Sequence, residues 1–134
     1  MKYANKKLIS RVNSAVNAQM KYQKQEKDKP VFGFELNKFP RGDCDDYVVL
    51  KAHLLKKSGV DPRTMTMGCL AVGPTQTEAN HAVLLVKVTA ETGFWFWKTT
   101  REVELVLDLR NDNIYTTDEI LEPVLAREDI RWLI

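Results

Sequence analysis

Residues 81–88 read HAVLLVKV and residues 102–109 read EVELVLDL. Both runs are short, rich in Val and Leu, and bounded by polar residues, which marks them as strands. The second alternates Val103, Leu105 and Leu107 against Glu102, Glu104 and Val106, so one face is expected to be buried and the other wetter. Residues 65–72 (MTMGCLAV) and 94–97 (FWFW) give two further candidate strands. Residues 110–113 (RNDN) read as a turn, and 117–122 as a short helix broken at Pro123. The tail REDIRWLI reads as a last strand or a docked segment.

Upstream the hydrophobic period changes. Within residues 3–27, Leu8, Val12, Val16 and Met20 recur four apart, with Ile9 and Ala15 beside them. That is the apolar stripe of a helix. Pro30 discourages its continuation, and residues 31–42 (VFGFELNKFPRG) read as a loop. A second helix is expected at about 44–57 (CDDYVVLKAHLLKK), stopped by Ser58-Gly59, with lysines in its last turn where the helix dipole favours them. Helices first and an antiparallel sheet afterwards make the fold class α+β, not alternating α/β. At 134 residues the chain reads as a single domain spanning 1–134.

Composition narrows the function. With 44% hydrophobic and 28% charged residues, the chain is unlike disordered, collagenous or coiled-coil sequences. No apolar run approaches the roughly 20 residues of a membrane span. The start MKYANKKLIS has lysines but no apolar stretch behind them, so a cytoplasmic location is expected, or the virion or host cell if the origin is a phage. Net charge is +2, unevenly spread: residues 1–29 carry 8 basic and 2 acidic groups. A basic end suits nucleic acid or an anionic surface, but a solvated helix face is the expected reading, and a nucleic-acid partner is not. The two cysteines, Cys44 and Cys69, do not make a disulfide framework.

Three residues suggest chemistry. Cys44 falls where the loop enters the second helix, after Arg41-Gly42-Asp43. A thiol there meets unpaired N–H groups and the positive end of the helix dipole, which favour the thiolate. Those N–H groups also suit an oxyanion. His81 opens a strand directly after a polar loop, where a rigid scaffold presents functional groups. Asp108 closes the strand ELVLD and is placed to orient an imidazole, as the third member of a triad does. Each also has a plainer reading, as a strand-edge histidine or a strand-ending aspartate bonded to the next turn. His53, in mid-helix, and Cys69, in a strand, read as structural.

The conjunction resembles a known family. Gly42-Asp43-Cys44-Asp45-Asp46-Tyr47, then Leu54-Leu55 and Gly59, then His81-Ala82-Val83-Leu84, then Val106-Leu107-Asp108, resemble the bacterial transglutaminase-like cysteine peptidases. Their pattern runs roughly G-D-C-E-D-[YF], H-A-V-L and V-L-D. Val12-Asn13 and Val16-Asn17 also look like that family's leading helix. The resemblance covers about residues 10–110 and implies a papain-like or transglutaminase-like fold. It implies a Cys44, His81, Asp108 triad cleaving a peptide or isopeptide bond in a protein substrate. Known members include periplasmic enzymes that clip large surface adhesins. This chain departs from them by Leu109 after the aspartate, where Asn is usual, and by the aromatic and basic stretch Phe94 to Arg101. Transfer to an amine, as in a transglutaminase, shares the same acyl-enzyme. A non-catalytic binding module using the basic first helix and Trp95/Trp97 remains a second class of function.

Asp43, Asp45 and Asp46 crowd Cys44. Like charges oppose thiolate formation. Two readings offset this and both stay open: the aspartates cap the helix start, or they bind calcium through hard carboxylate oxygens. The resemblance adds weight to calcium, since some members carry such a site at the matching positions. No organic cofactor is expected.

Overall fold

The apolar stripe of the first helix forms α1, Lys6–Gln25. Its inward face holds fully buried Ile9 and Val16 and nearly buried Val12, with Asn13 and Asn17 also buried among them. The computed structural model describes residues 5–25, 43–74, 77–92 and 99–134. The side chains of 19–25, 43–45, 90–92 and 99 lie outside that description. The expected loop 31–42 and the expected strand 94–97 therefore fall wholly outside the described residues.

The second helix, α2, runs Asp43–Lys57. Every residue from Asp46 to Ala52 is buried. A helix covered all round occupies the middle of a core, not its surface. Its end is a Schellman closure: Gly59 N–H donates to the Lys56 carbonyl and Val60 N–H to the Leu55 carbonyl, both at 3.0 Å. Gly59 takes φ 98°, which a side chain would disfavour. A 3₁₀ turn at Pro62–Thr64, capped by Asp61, leads into the sheet.

The strands are β1 (Met65–Leu70), β2 (His81–Thr92), β3 (Thr99–Asp108), β4 (Asn111–Thr116) and β5 (Val124–Asp129). They form one sheet in the order β4-β3-β2-β1-β5, with every neighbour antiparallel. Alternation along β2 sorts the side chains. Ala82, Leu84, Val86 and Val88 join α1 and α2 in the main core. Val83 and Leu85 turn to the opposite face and meet Leu70 and Val106. Val72, Ile120 and Val124 pack against that second cluster. Both faces of the central strands are thus buried, so Val106 does not lie on a wet face as its alternation suggested.

Two local expectations need correction. Residues 117–122 are a turn and a bend, not a helix. They connect β4 at one sheet edge to β5 at the other, and six residues before a proline are too few for a stable helix. Residues 111–113, expected in a turn, belong to β4, and the reversal is confined to Leu109 and Arg110. The tail combines both expected roles. β5 ends at Asp129, Ile130 is buried, and Leu133 and Ile134 pack on the main core. The two helices followed by an antiparallel sheet make the α+β, transglutaminase-like arrangement expected from the sequence.

Gly68 in β1 has no room for a side chain. A Cβ there would meet Leu85 Cδ1 at 2.8 Å and Val83 Cγ2 at 3.2 Å. Both neighbours are fully buried. Gly68→Ala is expected to destabilise the fold by about 1–3 kcal/mol. Thermal unfolding should show a melting point lower by several degrees.

Candidate active site

His81 is the first residue of β2, and the loop before it is folded back on itself. Asn80 receives the Val72 N–H on Oδ1 at 2.7 Å and returns a bond from Nδ2 to the Val72 carbonyl at 2.8 Å. The Asn80 N–H donates to the Leu70 carbonyl at 2.9 Å. These bonds fix where β2 starts. Asp108 is the last residue of β3. Continuing the pairing of Leu84 with Leu107 sets Asp108 opposite Val83, diagonal to His81 and on the same side of the sheet. The β3–β4 register shifts between Val106 and Asp108, an irregularity of the kind that re-aims a side chain.

The outcome is a buried pair. His81 Nε2 lies 2.8 Å from Asp108 Oδ1. Arg110, just past the strand, holds the same carboxylate from the other side. Its N–H donates to Oδ1 at 3.0 Å, and its Nε and Nη2 donate to Oδ2 at 2.9 and 2.6 Å. Its Nη1 donates to Glu122 Oε1 at 2.9 Å. Burial opposes the charge on Asp108. The bonds from His81 and Arg110 and the attraction of His81 outweigh it, so the carboxyl sits well below the usual carboxylate range. An ionised carboxylate only accepts hydrogen bonds. The Nε2 of His81 therefore carries its proton toward Asp108, and Nδ1 is the ring nitrogen that can take one up.

The turn bearing Asp108 is gripped from α1. Asn17 Nδ2 donates to the Asp108 carbonyl at 3.1 Å and to Asp112 Oδ1 at 2.9 Å. Asn13 Nδ2 donates to the Asn111 and Asp112 carbonyls at 3.0 and 3.2 Å. From α2 comes Lys51, fully buried, with its Nζ 5.6 Å from the centre of the Tyr47 ring. Burial pushes its pKa down to about 7, against the opposing pull of Asp108 and Asp112.

Cys44 is the second residue of α2, at the helix start where it was expected. Its side chain lies outside the described residues, as do those of Asp43 and Asp45. Asp46 is described and buried. Among the described residues no three His, Cys, Asp or Glu side chains gather as a metal would need. His53 is half-buried on α2, with burial and then Lys57 and Lys56 lowering its pKa. Asp108 bonds to His81 and not to it. Cys69 is fully buried in β1, in keeping with a packing role. Trp95 and Trp97 fall outside the described residues.

A family model for the bacterial transglutaminase-like cysteine proteinases (BTLCP) matches residues 1–119. The chain belongs to this family. It is accordingly a cysteine peptidase, and a protein is its substrate class. The family match takes in α1, α2 and β1 to β4 and stops before β5. No curated protein and no solved structure matches this cysteine peptidase. Among its described residues, no helix is long and apolar enough to cross a membrane.

Arg110, Lys51 and the two asparagines were missed as site residues. Arg110 read only as part of a turn. Lys51 and Asn17 did carry a signal, since each interrupts an apolar helix face. A polar group there must find a partner inside.

The pull on Asp108 has a pH signature. Its folded-state pKa is depressed, so its contribution is fully present above the unfolded value of about 3.9 and is lost as pH falls toward the folded value. Asp108→Asn should lower the urea midpoint relative to wild type at pH 7. The gap between the two proteins should narrow steadily below about pH 4. A constant gap across that range would show that the charge of Asp108 adds nothing.

Proposed function

We propose that Cys44, His81 and Asp108 form a catalytic triad that hydrolyses a peptide or isopeptide bond in a protein substrate. The observation that carries this reading is the 2.8 Å bond between His81 and an ionised, arginine-held Asp108. Position 44 supports it. It precedes Lys51 by two helical turns on one side of α2, and Lys51 is within charge range of Asp108.

The chemistry follows from these parts. The Cys44 thiol passes its proton to His81 Nδ1, and the thiolate attacks the substrate carbonyl carbon. The carbonyl oxygen becomes an oxyanion, and the N–H groups of the first turn of α2, unpaired within the helix, are suited to receive it. When the C–N bond breaks, His81 returns the proton to the departing amine, leaving a thioester on Cys44. His81 then deprotonates a water that attacks the thioester and releases the acid and the thiolate. Asp108 stays ionised throughout and holds the imidazole in the required tautomer and orientation.

The test is alkylation of Cys44 by iodoacetamide, followed by mass spectrometry across pH. Cys44 should react well below the ordinary thiol pKa of about 8.5, while buried Cys69 stays unmodified. His81→Ala should abolish the low-pH reactivity, and Cys44→Ala should abolish proteolysis with the fold intact. His53→Ala should keep most of both. Loss in the His53 variant with retention in the His81 variant would overturn the assignment.

Calcium belongs to the same proposal. Asp43, Asp45 and Asp46 offer hard oxygen donors in the first turn of α2. A bound calcium would offset the three charges that oppose the thiolate. Exhaustive chelation is expected to lower Cys44 reactivity, and calcium but not magnesium to restore it, because magnesium demands near-octahedral geometry. Asp46→Ala should imitate the chelated protein. Full reactivity after chelation, with no metal in the purified protein, would leave the aspartates as helix-start residues.

A further inference from the structure

Lys51 is the one lysine among the described residues with no exposed surface. Its Nζ has no hydrogen-bond acceptor among the described residues. A buried ammonium without an acceptor is costly, and it is retained here in the middle of the most buried stretch of the protein. The groups around it explain its place. On its own helix is the Tyr47 ring, at 5.6 Å. From β3 and β4 come the charges of Asp108 and Asp112. Asn17 of α1 is bonded to both of those residues, and its Oδ1 is itself buried and without a donor among the described residues.

We propose that Lys51 is a positioning residue for the reaction: from beneath the site, its buried cation balances the Asp108 and Asp112 carboxylates and sets the proton affinity of His81 through Asp108. Arg110 holds the Asp108 carboxylate from the partly exposed side, and Lys51 acts from the interior. The two cations differ in kind. The guanidinium stays charged at every working pH. The ammonium, desolvated, loses its proton near neutrality, so the field it exerts on the pair changes within the range where a thiol peptidase works. With Lys51 charged, His81 releases its proton more readily. With Lys51 neutral, the imidazolium is held more tightly. The groups facing Lys51 that set this balance are Asp108, Asp112 and, through Asp108, His81 and Arg110.

The inference rests on the reading of His81 and Asp108 as the catalytic pair, yet its test is separate. The chain has two histidines, so the His81 ring is readily resolved from His53 by NMR. Lys51→Met keeps the length and apolar stem and removes the charge. In that variant the His81 titration midpoint should move up by about half to one pH unit, the size expected of one charge removed at short range in a partly buried site. The alkylation profile of Cys44 should change shape over the same range. A folded Lys51→Met protein with an unmoved His81 midpoint would overturn the proposal, whatever its stability.

If that variant fails to fold, the titration of Lys51 itself decides, in the unsubstituted chain and in Asp108→Asn. The Lys51 side-chain carbon resonance should titrate near neutrality, and Asp108→Asn should lower its midpoint by removing an attracting charge. A midpoint near the ordinary lysine value of about 10.4, or one indifferent to Asp108→Asn, would overturn the inference. Failure of the triad reading would show instead as a Cys44 no more reactive than a free thiol.

Discussion

The structure turns on one negative charge kept inside the protein. Asp108 is only 8% exposed, and a lone carboxylate at such a position would take up a proton and cease to orient a histidine. Its two oxygens are therefore fully engaged, Oδ1 with His81 and the Arg110 N–H, Oδ2 with the Arg110 fork. Two guanidinium N–H groups converge on the single oxygen Oδ2, and charge-assisted bonds of this kind are the strong ones. Breaking one partner away would leave a charge the interior cannot hold, so the pair and the arginine stand or fall together.

This need reaches across the fold. The Asp108 carbonyl is gripped by Asn17, 91 residues earlier in the chain, and the neighbouring turn by Asn13. The first helix is therefore part of the site's foundation and not a basic appendage. Its buried face has two functions: Ile9, Val12 and Val16 supply apolar contact, and the asparagines supply directional bonds that set the height of the β3–β4 turn. Glu122, from the segment after β4, ties off the exposed side of Arg110.

The sequence revealed most where one physical signal dominated. The four-residue spacing of α1 and the Val/Leu runs of β2 and β3 are direct consequences of burying one helix face and both sides of a central strand. His81 and Asp108 were legible because each ends such a run. β4 was not, because Asn111, Asp112 and Asn113 prefer turns in isolation. They are drawn into a strand by pairing with β3 and by the bonds Asn13 donates to their carbonyls. Arg110 and Lys51 escaped for a related reason. Their roles depend on what lies opposite in space, and nothing in their sequence neighbours names that partner.

The sheet order carries a consequence for the chain between its outermost strands. β4 and β5 lie on opposite edges, four strand spacings apart, or about 19 Å at the usual separation. Seven residues, 117–123, make the crossing. From Thr116 to Val124 they reach about 27 Å when fully drawn out. A turn at 117–119, closed by the Glu119 N–H on the Thr116 carbonyl at 3.0 Å, takes up part of that length, and beyond it Ile120 bears on the second cluster while Glu122 meets Arg110. The segment behaves as a girdle of fixed circumference. Lengthening it would add slack that the surface can absorb, but losing two residues would bring the two edges into conflict over where the end of β3, and with it Asp108, is allowed to sit.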